Sequence, residues 1–379
     1  MTAQVTQLQL DESIINFGIG QPDFNLLPYE QLHLDAANFQ AIIDRGHLNY
    51  GLEAGDAAFR ETLCEFMQIN YQTRCSIEEL FITNGVSQGL DLLCTLLARA
   101  GDIIFVEEPT YFLALELFRD HHFHIVSIPM EEDGLNLQEL ESALDKYQPV
   151  FLYTIPVFHN PTGRTMSTEK RLRLMELSKE HDFWIFADEV YHPLAYSSET
   201  PFSFAEHTAE SKVISLGSFS KILAPGLRLG WIKSSRRIHK RLTQAGLLQS
   251  GGGINPIPGA IVHSWLRSGM QSEHLRLLCK TYAAREEQLW AACTEYLTPY
   301  ADFQKPRGGF FIWLELFNEF DTGRLREIAR GKGVDFQLGE NFSTTGASKK
   351  GIRLCFAFYE EASLREGIRR LEGVFKEVF

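Results

Sequence analysis

Residues 213–231 read VISLGSFSKILAPGLRLGW. An apolar, strand-like run delivers Lys221 into a setting of small and hydroxyl residues, Gly217, Ser218 and Ser220, with Pro225, Gly226 and Arg228 just beyond. A lysine ammonium with an ordinary pKa of about 10.4 is no nucleophile at neutral pH, so chemistry at Lys221 requires it to be desolvated or condensed with a carbonyl. Ser218, Ser220 and Arg228 offer what a phosphate dianion needs: hydroxyl donors and a guanidinium that bonds as a fork. Lysine and phosphate site together imply an aldehyde cofactor that carries its own phosphate.

Upstream, from Leu80, short apolar runs alternate with helical patterns: LFIT, DIIFVE, FHIVSI, VFLYTI, FWIFAD and KVISLG, each followed or preceded by an amphipathic stretch. Continuous apolar runs separated by helices predict a mostly parallel sheet covered on both faces. Asn136 with Glu139 has capping-box spacing, and Ser167 or Thr168 opens the next helix. Ligands of such sheets bind at the carboxyl ends of the strands. Downstream, helical patterns at 235–249, 256–268 and 271–297 give way to GGFFIWLEL, a helix near 322–331, GIRLCFAF and a last helix. That change of pattern predicts a second, α+β domain starting near residue 275.

The 379 residues suffice for a large buried core, and 44% hydrophobic with 22% charged residues is an ordinary globular balance. With 36 basic against 49 acidic residues the formal charge is -13, which argues against a nucleic-acid partner. No window reaches the roughly 18 apolar residues of a membrane helix, and the first residues carry no leader pattern. Six cysteines without CxxC spacing read as buried free thiols, so a cytoplasmic location is expected.

SxSKxxxPGxRxG, here Ser218, Ser220, Lys221, Pro225, Gly226, Arg228 and Gly230, resembles the lysine segment of fold-type I, class I/II aminotransferases that use pyridoxal 5'-phosphate (PLP). The resemblance runs through most of the chain and is nearest to the 2-aminoadipate and kynurenine aminotransferase branch and to the aminotransferase-like domains of MocR regulators. It implies an α/β fold in which a mostly parallel seven-stranded sheet lies between helices, beside a smaller α+β domain. Residues 1–45 become an arm contributing to the small domain, 46–274 the large PLP-binding domain and 275–379 the small domain.

The same resemblance distributes roles. Gly85, Val86 and Ser87 stand between a strand and a helix, where free N–H groups and the helix dipole hold an anion. The family grips the cofactor phosphate there, with a serine where Val86 stands. Tyr111 would lie on the pyridine face. In HNPTG, Asn160 would donate to the phenolic oxygen of PLP and help seat the substrate carboxylate; His159 stands where relatives often carry glutamine. Asp188 at the end of FWIFAD would keep the pyridine nitrogen protonated, making the ring an electron sink, and Tyr191 would donate to the phenolic oxygen. Arg353, flanked by apolar residues, requires an anion if buried, and the resemblance makes that anion the α-carboxylate of the substrate. Gly20 in GIGQP suits a backbone passing close to a ligand. Tyr50 would reach across a homodimer to the phosphate of the neighbouring site.

The implied reaction moves an amino group from an L-amino acid to a 2-oxo acid such as 2-oxoglutarate, with Lys221 carrying the cofactor and then shuttling a proton. A lyase or decarboxylase on the same scaffold is the alternative, and a non-catalytic PLP sensor a distant one, since GIGQP at residue 18 leaves no room for a preceding DNA-binding region. Some relatives that take acidic side chains supply an arginine from the arm, and none occurs here before Arg45. Ile14, Ile15, Phe17, Ile19, Leu26 and Leu27 instead suggest apolar or aromatic substrates. HHFH (His121, His122, His124) lacks nearby acidic or cysteine ligands and is not read as a metal site. The glycine-rich run Gly251–Pro258 is expected to be flexible and near the dimer interface.

Overall fold

The computed structural model describes residues 10–32, 43, 45–196, 201–209, 211–251 and 253–379. Readings that fall on residues 1–9, 33–42 and 44 of the arm, and on Gly252 of the glycine run, lie outside them.

In chain order the first half comprises β1 (Ile15–Asn16), α1 (Ala57–Asn70), β2 (Leu80–Thr83), α2 (Val86–Leu97), β3 (Ile103–Glu108), α3 (Phe112–Asp120), β4 (His124–Glu131), β5 (Gly134–Leu135), α4 (Leu137–Leu144), β6 (Phe151–Thr154), α5 (Thr168–Glu180), β7 (Trp184–Asp188), β8 (Val213–Ser218) and β9 (Gly230–Lys233). Strands β2, β6, β8 and β9 are buried at every residue, as expected of strands covered on both faces. They form one sheet in the order β2-β9-β8-β7-β6-β3-β4-β5. The central pairings β4-β3-β6-β7-β8 are parallel. Strand β9 is antiparallel to both β8 and β2, which leaves β2 running with the central strands. The sheet thus has eight strands rather than seven, because two-residue β5 folds back on β4.

Side-chain caps set the helix starts. Asn136 Oδ1 accepts from Glu139 N at 3.0 Å, and Ser167, rather than Thr168, caps α5 through Lys170 N. The helical stretch expected over 235–249 is instead two helices, α6 (Arg236–Thr243) and α7 (Gly246–Gln249), because Ala245 adopts an extended conformation and caps the second. Asn255 caps α8 (Pro256–Arg267), with Pro256 at its first turn, where the missing N–H costs nothing.

The remaining elements are α9 (Met270–Tyr296), β10 (Ala301–Phe303), β11 (Phe311–Leu316), α10 (Thr322–Gly331), β12 (Val334–Asp335), β13 (Gln337–Leu338), β14 (Gly351–Cys355) and α11 (Glu361–Val378). A four-stranded antiparallel sheet, β10-β11-β14-β13, forms the smaller domain with its helices. The arm joins it: β1 pairs in parallel with β12, Ile15 against Val334. Asp23 then meets Arg285 of α9 at 2.7 Å, and the same guanidinium donates to Ala357 O. Both partners are buried, so removing either would strand a charge in the interior.

Candidate active site

The loops after β2, β3, β6, β7 and β8 leave one edge of the sheet, because these strands all run in one direction. That edge carries Gly85, Tyr111, Asn160, Asp188 and Lys221 respectively.

Lys221 sits in the turn that ends β8. Ser218 Oγ holds this turn by accepting from Ser220 N at 3.0 Å. The ammonium Nζ donates to Gly20 O at 2.9 Å, so the arm covers the lysine, and it lies over the rings of Tyr191 and Phe310 at 6.0 and 5.8 Å. Burial pushes the Lys221 amine down to about 8; Arg353 and Arg228 act in the same sense, while Cys355 and Asp188 oppose it. The lysine is thus desolvated, as nucleophilic chemistry at that position requires.

Three donor groups converge beside it. Gly85 has φ +80 and opens α2 with no side-chain cap among the described residues, leaving the first N–H groups of the helix free. Arg228, itself left-handed at φ 50, places Nη2 so close that a Cβ on Gly85 would lie 2.7 Å from it. Among the described residues its guanidinium meanwhile hydrogen-bonds only to carbonyl oxygens, Pro225 O at 3.1 Å and Asn84 O at 3.3 Å. Ser218 and Ser220 share a hydroxyl hydrogen bond at 3.0 Å. Ser87 is exposed and Val86 half-buried on the same turn. An uncapped helix terminus, a guanidinium and two hydroxyls fit a phosphate group.

Asp188 is buried, accepts from Tyr153 OH at 2.8 Å through Oδ2, and leaves Oδ1 without a hydrogen-bond partner among the described residues. Burial pushes its carboxyl up to about 6, against the hydrogen bonds from Tyr153 and the Val190 backbone and the attraction of Lys221. A buried carboxylate oxygen with no partner is costly and fits a cationic ring nitrogen. Tyr191 packs edge-on against Phe310 and Phe311, at 5.4 and 5.8 Å, with its phenol raised by burial. Tyr111 begins α3, and burial followed by Asp188 raises it to about 12.

Arg353 of β14 is buried between Phe311 and Phe342, its guanidinium carbon 4.3 and 5.0 Å from the ring centres. Nη1 donates to Asn160 Oδ1 at 2.9 Å and Nη2 to Gly18 O at 2.8 Å, while Nε has no hydrogen-bond partner among the described residues. No carboxylate among the described residues answers it, so its charge stays open to an anionic ligand. A Cβ on Gly20 would stand 3.4 Å from Nη2 and 3.3 Å from the Phe311 ring, which explains a glycine there.

One expectation changes, and one residue expected at a neighbouring site lies on the surface. Phe17 is fully buried against Gly367 of α11 and belongs to the core of the smaller domain, not to a substrate wall. Tyr50 is 84% exposed, lies against Gly251 and is not brought to the site of its own chain. His121, of HHFH, makes a 2.8 Å contact with Asp91.

Other buried polar groups went unread. Tyr153 had only an apolar neighbourhood in sequence, and its role shows only through Asp188. Glu107 accepts from Thr154 Oγ1 at 2.5 Å and Ile155 N at 2.9 Å, and Nε2 of His159 lies 3.0 Å from it, off the line of a hydrogen bond. With His159 Nδ1 also 2.9 Å from Thr162 Oγ1, this histidine braces the Asn160 turn from below. Glu189, beside Asp188, takes Ser215 Oγ at 2.7 Å and Phe204 N at 2.9 Å, fastening β7 to β8 and to the segment at 203–205.

Residues 12–371 match the family described as aminotransferase class I and II. The chain is 35% identical over 336 residues to aromatic-amino-acid aminotransferase 1 of Thermococcus litoralis, covering 87% of this chain and 80% of that one. The kynurenine aminotransferase of Pyrococcus horikoshii, solved with PMP, KYN and KYA, superposes with a TM-score of 0.90 at 32% identity, over 97% of this chain and 91% of that chain. The α-aminoadipate aminotransferase of Thermus thermophilus, complexed with N-(5'-phosphopyridoxyl)-L-leucine, gives 0.88 at 29% identity over 97% and 93%. Desolvated lysine, phosphate-fitting turn and uncompensated arginine accord with these relatives, and the chain belongs to the class I and II aminotransferases, as a PLP-dependent enzyme that moves an amino group between an amino acid and a 2-oxo acid.

Proposed function

We propose that this chain transaminates L-amino acids with aromatic or apolar side chains, using 2-oxoglutarate or a similar 2-oxo acid as acceptor. The observation that carries this substrate class is the pair of rings, Phe311 and Phe342, flanking the Arg353 guanidinium. Phe112 adds to this apolar wall, edge-on to Phe342 at 5.3 Å. A substrate held at Arg353 by its carboxylate would rest its side chain among rings, with no further cation required.

When bound, PLP supplies an aldehyde that takes up the amino group and a ring that draws off the electron pair left at Cα. Lys221 would be the residue that holds the cofactor, and its amine, lowered by burial, would be the base that moves the proton from Cα. Asp188 would keep the ring nitrogen protonated, Tyr191 and the Asn160 amide would donate to the phenolic oxygen, and Tyr111 would cover the ring face. Gly85, Val86, Ser87, Ser218, Ser220 and Arg228 would hold the phosphate; Arg353 and Asn160 would seat the substrate carboxylate near Gly20.

The proposed division is an arm to residue 45, a PLP-binding domain over 46–274 and a small domain from 275. Two copies pair so that Tyr50 reaches the neighbouring phosphate, which its exposure supports. Six free thiols support a reducing, cytoplasmic setting. Among the described residues no helix is long and apolar enough to cross a membrane.

The test is the cofactor absorbance of the purified enzyme before and after addition of single L-amino acids without an oxo acid. Phenylalanine, tyrosine and leucine should convert it to the aminated form, and 2-oxoglutarate should restore it. A preference for 2-aminoadipate or glutamate over phenylalanine and leucine would overturn the substrate class.

A further inference from the structure

The cysteines are scattered in sequence but not all in space. Cys64 on α1 and Cys75, in the turn before β2, bring their sulfurs to 2.8 Å, sharing a hydrogen bond, and both are only half-buried. Cys94, Cys293 and Cys355 are buried, and Cys279 donates to Pro193 O at 3.6 Å. We propose that Cys64 and Cys75 are an oxidisable dithiol, a modification site at which a low-molecular-weight disulfide closes an internal disulfide between α1 and the lead-in to β2.

Closure to a bond of about 2.05 Å asks for less than about 1 Å of sulfur travel, within reach of side-chain rotation. Cys64 is the attacking sulfur. The Cys75 S–H can donate to it as a thiolate, and Lys233 and Arg60 add positive charge, while burial and Glu79 oppose; the balance lowers its pKa. The Cys64 thiolate attacks one sulfur of the small disulfide, forming a mixed disulfide and expelling one thiolate. Cys75 then gives up its proton and attacks Cys64 Sγ, expelling the second. Two protein thiols are oxidised by two electrons and one disulfide is reduced to two thiols.

The site bears on the catalytic wall. Rings of α1, Phe59 and Phe66, pack on Phe219, two residues before Lys221, at 6.2 and 6.0 Å. Tyr71 OH, at the end of α1, donates to Glu189 O at 3.3 Å, next to Asp188. A staple from Cys64 to Cys75 closes a ring around the segment that carries Phe66 and Tyr71, next to Phe59.

The experiment is incubation of native holoenzyme with oxidised glutathione, then alkylation, intact mass measurement and tryptic mapping. Cleavage after Arg74 places the two cysteines on different peptides, residues 61–74 and 75–99. The expected result is two fewer alkyl groups than in the reduced protein, a difference removed by dithiothreitol before alkylation, and a cross-link between those peptides that fragment ions assign to Cys75 rather than Cys94. Cys75→Ser should instead retain a glutathione adduct on Cys64. Full alkylation of both thiols in the wild type, a persistent glutathione adduct there, or a bridge through another cysteine would each overturn the proposal.

Discussion

Arg353 Nη1 donates to Asn160 Oδ1 at 2.9 Å, and because a guanidinium carries only donors, this contact fixes which way the Asn160 amide points. The oxygen is committed to Arg353 and Nδ2 is left to donate elsewhere, as contact with a phenolic oxygen would require. The pair also spans the two domains, tying the loop after β6 to β14.

Asn160→Asp is therefore expected to do more than remove an amide. Its carboxylate would pair with Arg353 and compete with the substrate carboxylate. KM for the amino acid should rise on the order of 10- to 100-fold, the range of a charged hydrogen bond, in steady-state kinetics. An unchanged KM would mean that Arg353 does not receive the carboxylate.

Lys221 offers a pH test. With its amine pushed down to about 8 by burial, a tenth or so is neutral at pH 7, against far less for a free lysine. Condensation of added PLP with cofactor-free protein, followed by absorbance, should accelerate with pH and level off above about 8. A rise continuing to 10.5 would show an ordinary lysine. Lys221→Ala should lose turnover altogether.

How far the sequence led can be judged from such residues. Lys221, Asp188 and Asn160 were legible because each closes an apolar run within a motif resembling the family's, and strand ends on one edge converge whatever the details of pairing. Direction was not legible: nothing local in GWIK tells that β9 runs antiparallel, since that depends on partners about 150 residues away in β2 as well as on adjacent β8. Buried polar partnerships were equally hidden. Tyr153 and Asp188, Glu107 and Thr154, and Cys64 and Cys75 are joined by folding, and composition in their own stretches carries no trace of it.

Asp188→Asn should separate stability from activity. The folded carboxyl is held up at about 6 against 3.8, so the folded protein keeps a proton that the unfolded chain releases between those values. Stability contributed by the protonated group is full below 3.8 and is lost as pH rises through 6, a cost on the order of 3 kcal/mol. An amide does not titrate. In cofactor-free protein, melting of Asp188→Asn relative to wild type should improve between pH 4 and pH 6 and then stay level; a flat difference would refute the shift. Turnover of the holoenzyme should meanwhile fall on the order of 10²-fold or more.

Gly85→Ala probes the phosphate turn. The backbone there is left-handed at φ +80, and the added Cβ would meet Arg228 Nη2 at 2.7 Å, so the guanidinium must move. Affinity for PLP should drop by about tenfold, one charged hydrogen bond, while kcat at saturating cofactor changes little. Loss of kcat without loss of affinity would place Arg228 outside the phosphate site.

Tyr50 tests the proposed assembly. A tyrosine 84% exposed, on a segment where Leu48 and Leu52 are exposed at 70% and 56%, is poorly explained by a solitary chain. Leu247, 61% exposed, lies four residues before the Gly251 that the Tyr50 ring touches. If a second copy covers these residues, sedimentation should report a dimer, and Leu52→Asp with Leu247→Asp should shift it toward monomer and lower PLP affinity in parallel. Tyr50→Phe should keep the dimer and lose only the phosphate contact, weakening PLP on the order of tenfold. Wild-type affinity in Tyr50→Phe, with the dimer intact, would free the hydroxyl of any role at the neighbouring site.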